Sequence, residues 1–197
     1  MGTIGVKTEA GTRDRILDTA ERLVQMRGFN GFSYGVVAAE LGVTTASLHY
    51  HFPGKAALGD ALIARYARRF TDALARIDAD GLTPAAKLDA YAGLYADVLR
   101  QERMCLCGML AAEYETLPLT MRDAILRFFD DNQSWLRSVM EQGRADRTME
   151  FEGAADDGAR TLLSGLEGAL LVARPYGDVG RFEAAASRLI AGVAGAR

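Results

Sequence analysis

The sequence contains little that would tie it to an oxidising compartment or to a membrane. Two cysteines among 197 residues, Cys105 and Cys107, are too few for a disulfide framework, so the expected compartment is a reducing cytoplasm. No apolar run approaches the roughly 20 residues that span a bilayer, and the N-terminal stretch lacks the apolar core of a signal peptide. These absences exclude disulfide-rich secreted proteins and membrane-spanning proteins.

Proline and net charge are also scarce. Only four prolines interrupt an alanine-rich chain, which favours helices because alanine loses no side-chain entropy on becoming helical. The formal net charge of -3 is too small to indicate a nucleic-acid partner by itself. Its distribution is uneven, because residues 1–55 carry six Lys or Arg against five Asp or Glu, whereas the remainder carries 17 against 21. With 49% hydrophobic residues, the chain can build a core.

Hydrophobic spacing predicts helices along the whole chain. A first helix is expected over about 13–27, and Ser33 and Thr44 or Thr45 are suited to cap two short helices that follow. The next helix carries an apolar stripe with spacings of three and four, made by Leu58, Leu62, Tyr66, Phe70, Leu74 and Ile77. Further helical segments cover about 84–101, 105–116, 119–143, 154–174 and 179–194. No segment alternates with a period of two, so an all-α fold without a sheet is predicted.

Residues 33–55 have the spacing of a helix-turn-helix. Ser33 begins the first helix, Gly42 provides the turn, and Thr44 begins a second helix able to enter a major groove. Leu48 and Phe52 are expected to face inward, which leaves the hydroxyls at the start of the second helix free to contact bases or phosphates. His49, Tyr50 and Lys55 are expected to reach outward toward phosphates.

The stretch GVTTASLHYHFPGKAAL, residues 42–58, resembles the signature of the TetR family of transcriptional regulators. The close resemblance covers residues 12–60 and implies a three-helix DNA-binding head over residues 1–55 and a helical ligand-binding and dimerisation body over residues 56–197. It places DNA contacts at Ser33, Tyr34, Thr44, Thr45, Ala46, Ser47, His49, Tyr50, His51 and Lys55. One departure is His49, where many relatives have tyrosine, and it weakens the expectation of a phosphate contact there.

Two other interpretations of residues 33–55 are open. The segment could be a small helical subdomain whose polar residues only cap helices. A metal site at His49 and His51 is a poorer alternative, because residues two apart on a helix point roughly 200° apart and no Asp, Glu or Cys lies near them in the sequence.

The body has no residue pattern typical of an enzyme. Both histidines lie in the head, and residues 56–197 contain no glycine-rich phosphate loop, so catalysis is not expected. The family resemblance implies instead a small-molecule pocket in the middle helices and a homodimer formed by the last two helices. Candidate pocket residues are aromatic and sulfur-containing side chains: Tyr91, Tyr95, Met104, Cys105, Met109, Tyr114, Phe128 and Trp135. Most aromatic stripes at helical spacing belong to the core, so only part of this set is expected to touch a ligand.

The predicted dimer surface combines small and aliphatic residues that let helices approach closely. It comprises Leu162, Gly165, Leu166, Ala169, Leu170, Ala186 and Leu189. The alternative for these residues is an ordinary core within one chain.

Cys105 lies at a predicted helix start beside Arg103. Unpaired backbone N–H groups and the arginine would lower the pKa of its thiol, which would suit a sensor of electrophiles or oxidants. Some TetR-like regulators that the passage resembles respond to electrophiles. The opposing interpretation is that Cys105 and Cys107 are small buried hydrophobes.

Together, the residues and the resemblance imply a homodimeric repressor that binds a palindromic DNA operator and is released by a small-molecule effector. A thiol-based sensor and a helical sensor without DNA binding are the alternatives. No cofactor and no metal ion are expected.

Overall fold

The computed structural model describes residues 9–194, so residues 1–8 and 195–197, at the two ends of the predicted head and body, lie outside it. The described part contains nine α-helices and two 3-10 turns, and its fold class is all-α as predicted. The helices are α1 Glu9–Arg27, α2 Tyr34–Leu41, α3 Thr45–His51, α4 Lys55–Ala79, α5 Pro84–Arg100, α6 Leu106–Ala112, α7 Leu119–Ala145, α8 Ala155–Ala173 and α9 Val179–Ala194; the 3-10 turns are Tyr114–Thr116 and Arg174–Tyr176.

The helices α2 and α3 begin at their predicted capping residues, whereas α1 extends further toward the N-terminus than predicted, to Glu9. Ser33 Oγ accepts a hydrogen bond from the Val36 N–H at 3.4 Å, and Thr44 Oγ1 accepts one from the Ser47 N–H at 3.2 Å. Gly42 ends α2 with a φ of 66°, a left-handed conformation that glycine adopts without steric cost. These contacts fix the turn between α2 and α3.

The long helix α4 joins the head to the body. The predicted stripe is confirmed, because Leu58, Leu62, Tyr66, Phe70, Leu74 and Ile77 are all buried. On another face of α4, the Arg65 guanidinium pairs with Asp18 and Glu21 of α1 at 2.8 Å each. These ion pairs attach α4 to α1.

In the body, α8 packs against both α7 and α9, and α5 packs against α9 and α7. The predicted helix over 105–116 is divided, because α6 ends at Ala112 and a 3-10 turn follows. None of the helices in residues 9–194 is both long and apolar enough to cross a membrane.

Candidate DNA-binding surface and effector site

The N-terminal half of α3 presents small polar side chains to solvent. Thr44, Thr45 and Ala46 are exposed and Ser47 is partly exposed. Leu48 is fully buried and Phe52 is buried, as predicted, so they anchor the opposite face of α3 in the head. Tyr50 projects from the end of α3 with 72% of its surface exposed. The geometry suits a helix that approaches DNA with its first turn.

Tyr34 and His49 form one contact between α2 and α3. The two rings lie 4.8 Å apart between centroids, and the Tyr34 hydroxyl donates to the Phe52 carbonyl at 3.0 Å. His49 Nδ1 lies 3.2 Å from the Pro53 carbonyl. Burial raises the pKa of Tyr34. These side chains therefore also hold α3 in place, while His51 packs its ring edge-on to Tyr50 at 5.2 Å.

Lys55 is turned into the head, whereas the sequence suggested that it reaches outward. Its Nζ donates to the Phe32 carbonyl at 2.6 Å and lies 4.5 Å from the centre of the Phe32 ring. Burial lowers the pKa of Lys55, and the negative charge of Glu113 opposes that shift. The ammonium is held by a carbonyl and aromatic rings, so a phosphate contact requires it to leave Phe32.

Glu113, which the sequence did not single out, connects the body to the head. Its carboxylate accepts hydrogen bonds from the N–H groups of Phe29 at 2.6 Å and Asn30 at 3.3 Å. The Asn30 amide also donates to Thr116 Oγ1 at 2.8 Å. Gly28 makes this approach possible, because its φ is +81° and a Cβ there would lie 2.7 Å from Glu113 Oε1. The turn between α1 and α2 is thus fastened to the segment after α6.

Four of the predicted pocket residues, Tyr91, Tyr95, Phe128 and Trp135, come together in the body. The Tyr91 hydroxyl donates to Asn132 Oδ1 at 3.0 Å and lies 3.2 Å from the Tyr95 hydroxyl. Trp135 stacks on Tyr91 at 5.6 Å and donates to Asp78 at 2.8 Å. Phe70 adds edge-on ring contacts to Tyr91, Tyr95 and Phe128. These residues form an aromatic cluster that is closed in this conformation, since Tyr91 and Tyr95 have almost no exposed surface.

Met104, Met109 and Tyr114 do not join the aromatic rings. Met104 pairs its backbone with Gln25 of α1, and Tyr114 lies under the Arg122 guanidinium at 5.2 Å. Met109 Sδ lies 3.6 Å from an Arg174 nitrogen. These side chains sit nearer the junction with the head.

The expected lowering of the Cys105 pKa is wrong. Cys105 does cap α6, as its Sγ accepts from the Gly108 N–H at 3.5 Å. It is also fully buried, and burial together with the Glu167 carboxyl raises the pKa of its thiol well above the usual value. Burial likewise raises the pKa of Cys107. Desolvation therefore outweighs the helix terminus and favours the neutral thiol over the reactive thiolate in this conformation.

Glu167 is the second residue that sequence reasoning missed. It projects from α8 toward Gly108 of α6, where a Cβ would overlap its Oε2. Burial raises the pKa of Glu167 to about 7, although the Cys105 thiol and the Tyr95 hydroxyl favour the ionised form. A single glutamate on a helix carries no sequence signal that distinguishes a buried position from an exposed one.

The predicted dimer residues mostly lie inside this chain. Leu162, Leu166 and Leu170 are completely buried, and Ala186 is buried. Gly165 meets Leu189 within the same chain, because a Cβ on the glycine would lie 2.7 Å from the leucine Cδ2. These side chains form the contact between α8 and α9, the alternative left open above, and the leucines have no surface left for a second copy. Ala169 and Leu189 remain partly exposed.

Known proteins share both the sequence of the head and the fold of the whole chain. Residues 16–62 match the family model of bacterial regulatory proteins of the tetR family. The HTH-type transcriptional repressor NemR of Escherichia coli (strain K12) is 27% identical over 173 residues, covering 85% of this chain and 86% of NemR. A TetR-family regulator from Agrobacterium tumefaciens superimposes with a TM-score of 0.89 at 29% identity, covering 93% of this chain and 97% of that one.

A TetR transcriptional regulator from Legionella pneumophila is 33% identical and superimposes with a TM-score of 0.79. The match covers 90% of this chain and 95% of that one, so it includes the head, the connecting helix and the body. The chain therefore belongs to the TetR family and is a DNA-binding transcriptional regulator, not an enzyme.

Proposed function

We propose that the chain is a cytoplasmic repressor that binds a palindromic operator as a homodimer and is released by a small-molecule effector. The observation that carries the proposal is the exposed first turn of α3. The buried side chains of Leu48 and Phe52 anchor α3 in the head, and the next helix, α4, continues from the head into the body. The similarity of most of the chain to the repressor NemR supports repression rather than activation.

Base reading is assigned to the exposed hydroxyls at the start of α3. Thr45 and Ser47 can donate to base edges, and Thr44 and Ala46 allow close approach of the backbone. Backbone contacts are assigned to Ser33 and Tyr34 at the start of α2 and to Tyr50, His49 and His51 at the end of α3. Lys55 joins them only when DNA draws its ammonium away from Phe32.

The dimer surface is assigned to the outer faces of α8 and α9. Leu171 and Val172 of α8 are 60% and 57% exposed, and Tyr176 in the turn that follows is 65% exposed. Gly168 lies one turn before Leu171, and no atom lies within 4 Å of its Cβ position, so a second helix can approach there. An exposed apolar patch beside a small residue is typical of a protein interface.

Effector release is assigned to α4 and to the contacts made by Glu113. A dimer that binds DNA must keep its two recognition helices about one helical turn of DNA apart, roughly 34 to 36 Å. We infer that the effector binds more tightly when α4 is tilted. Its binding therefore favours the tilted state, changes the separation of the recognition helices and lowers the affinity for the operator. The aromatic cluster contacts α4 through Phe70, so occupying it would move this helix.

The test is a DNase footprint on an inverted repeat bound by purified protein. We expect the footprint to cover both half-sites. We also expect a titration of the repeat with protein to give a stoichiometry of two chains per repeat. Protection of a single half-site by one chain would contradict the proposed dimer. Absence of any footprint on every sequence tried would contradict the proposed operator binding.

A further inference from the structure

One carboxyl oxygen of Glu167 is buried without a hydrogen-bond partner. Although the residue as a whole is partly exposed, its Oε1 has almost no accessible surface and accepts no hydrogen bond from any residue that the structure describes. A buried acceptor left unsatisfied is destabilising, and native proteins keep few of them. The Cys105 thiol and the Tyr95 hydroxyl lie against the carboxyl and favour its ionised form, but among the described residues neither supplies a hydrogen bond to Oε1.

The surroundings of Glu167 contain aromatic rings and no cation. The titratable groups whose charge interacts with the carboxyl are Tyr91 and Tyr95 of α5, Tyr66 of α4 and the thiols of Cys105 and Cys107. Burial raises the pKa of each of them, so they are neutral at pH 7. Among the described residues, no Lys, Arg or His forms an ion pair with Glu167.

Gly108 makes room for this carboxyl. Any side chain at position 108 would overlap Glu167 Oε2, so the carboxyl can lie directly against the backbone of α6. Tyr95, which contacts the carboxyl, also touches the Tyr91 hydroxyl and the Phe70 ring. The unsatisfied acceptor therefore lies at one end of the aromatic cluster.

We propose that Glu167 and the aromatic cluster bind a positively charged, aromatic amine, with the ammonium on the Glu167 carboxylate and the hydrocarbon part among the rings. This assignment rests on the proposed effector response and names the chemical class of the effector. An ammonium supplies the donor that Oε1 lacks, and its charge is stabilised by the carboxylate and by the faces of tyrosine rings. A carboxylate ligand would meet like charge there and is excluded.

A neutral ligand that only hydrogen-bonds is the main competitor. A glutamine at position 167 can hydrogen-bond a neutral alcohol but cannot attract a cation. The charge of the side chain at position 167 therefore distinguishes the two ligand classes. The substitution Glu167→Gln removes this charge and keeps the size of the side chain.

The experiment compares three probes of the same shape and different charge: 2-phenylethylamine, 2-phenylethanol and phenylacetate. Binding to the full chain is measured at pH 8 by calorimetry and by the fluorescence of Trp135, the single tryptophan, without DNA. Glu141→Gln is the matched control, because it removes an exposed carboxylate on α7 whose ion pair with Arg137 is long, at 3.9 Å.

We expect the wild type and Glu141→Gln to bind the amine at least about tenfold more tightly than the alcohol, and to bind phenylacetate least. We expect Glu167→Gln to bind the amine no more tightly than the alcohol. The circular dichroism spectrum of the variant shows whether it is folded. Equal binding of amine and alcohol by the wild type, or no binding of the amine, overturns the inference even if the variant does not fold. An amine preference that persists in folded Glu167→Gln overturns it as well.

Because these measurements contain no DNA, they test the ligand site independently of the proposed operator binding. If the amine binds through Glu167 but does not release an operator, the ligand site stands and the effector response is wrong. If the protein selects no operator at all, the binding site is unaffected.

Discussion

At the scale of single residues, two glutamates of the body show how environment decides the role of a side chain. Glu113 accepts hydrogen bonds from two backbone N–H groups of the head, so its charge is stabilised where it stands. Glu167 has a buried oxygen with no donor, so its charge is costly. The sequence does not show which residues these glutamates contact. Phe29, which donates to Glu113, lies 84 positions away from it in the chain.

Replacing Glu167 with glutamine should stabilise the protein at high pH. The folded pKa of about 7 lies above the usual glutamate value of 4.5, so folding favours the protonated carboxyl and the wild type loses stability as the pH rises from about 4.5 through 7. Glu167→Gln should therefore gain about 1 to 3 kcal/mol at pH 8 and little at pH 4.5. Urea unfolding at the two pH values measures the difference, and a gain independent of pH would contradict the assigned titration.

At the scale of elements, α3 carries the proposed base-reading residues, and the turn between α1 and α2 joins the head to the body. Capping and burial explain α3 from its own sequence, because Thr44 caps it and Leu48 anchors it. The turn between α1 and α2 is different, since Glu113 and Lys55 hold it from two other elements. Periodicity predicts which face of a helix is apolar but does not identify the element that packs on it, so these contacts were not predictable.

Variants of α3 should divide into two classes. Replacing Ser47 with alanine should change which bases are preferred, because the hydroxyl is placed to contact a base edge, with an effect of about 1 kcal/mol at one position. Tyr50→Ala should weaken binding to all sequences by a similar factor, because its phenol is assigned to a phosphate. Fluorescence anisotropy on an operator and its single-base variants distinguishes them, and a changed preference in Tyr50→Ala would contradict the assignment.

Removing the Glu113 carboxylate should loosen the head without touching DNA. Glu113→Ala leaves the N–H groups of Phe29 and Asn30 without their acceptor, at a cost of about 1 to 3 kcal/mol. Operator affinity should fall while its dependence on salt stays the same, because no phosphate contact is lost. Glu115→Ala is the matched control, since this neighbour is largely exposed and pairs only with Arg122, at 3.5 Å. Equal effects of the two variants would show that Glu113 has no special role.

At the scale of the whole molecule, helix positions and the apolar stripe of α4 were predictable, whereas the use of each surface was not. The pattern of Leu162, Leu166 and Leu170 fits a dimer face and an internal core equally well, and the structure buries these leucines within the chain. Cys105 was placed correctly at a helix start, but its pKa depends on its burial among residues of α4, α5 and α8, which are distant in the sequence. Long-range packing is the information that local spacing lacks.

A charge in the exposed patch of α8 should separate the proposed dimer. Leu171→Glu places a carboxylate among Val172, Tyr176 and their counterparts in a second copy, where desolvation of the charge opposes association. Sedimentation should show a monomer at concentrations where the wild type is a dimer. Leu126→Glu, at a position 50% exposed on α7, is the control and should leave the mass unchanged. A dimer that survives Leu171→Glu would move the interface elsewhere.

We expect two copies of α3, one from each chain of the proposed dimer, to read an inverted repeat. Selection of bound duplexes from a random pool by the purified protein tests it most directly, at two salt concentrations. The account predicts enrichment of one inverted repeat with half-sites about one helical turn apart, and weaker binding at the higher salt concentration. Recovery of no common sequence at either salt concentration, or of a single unrepeated site, would contradict it.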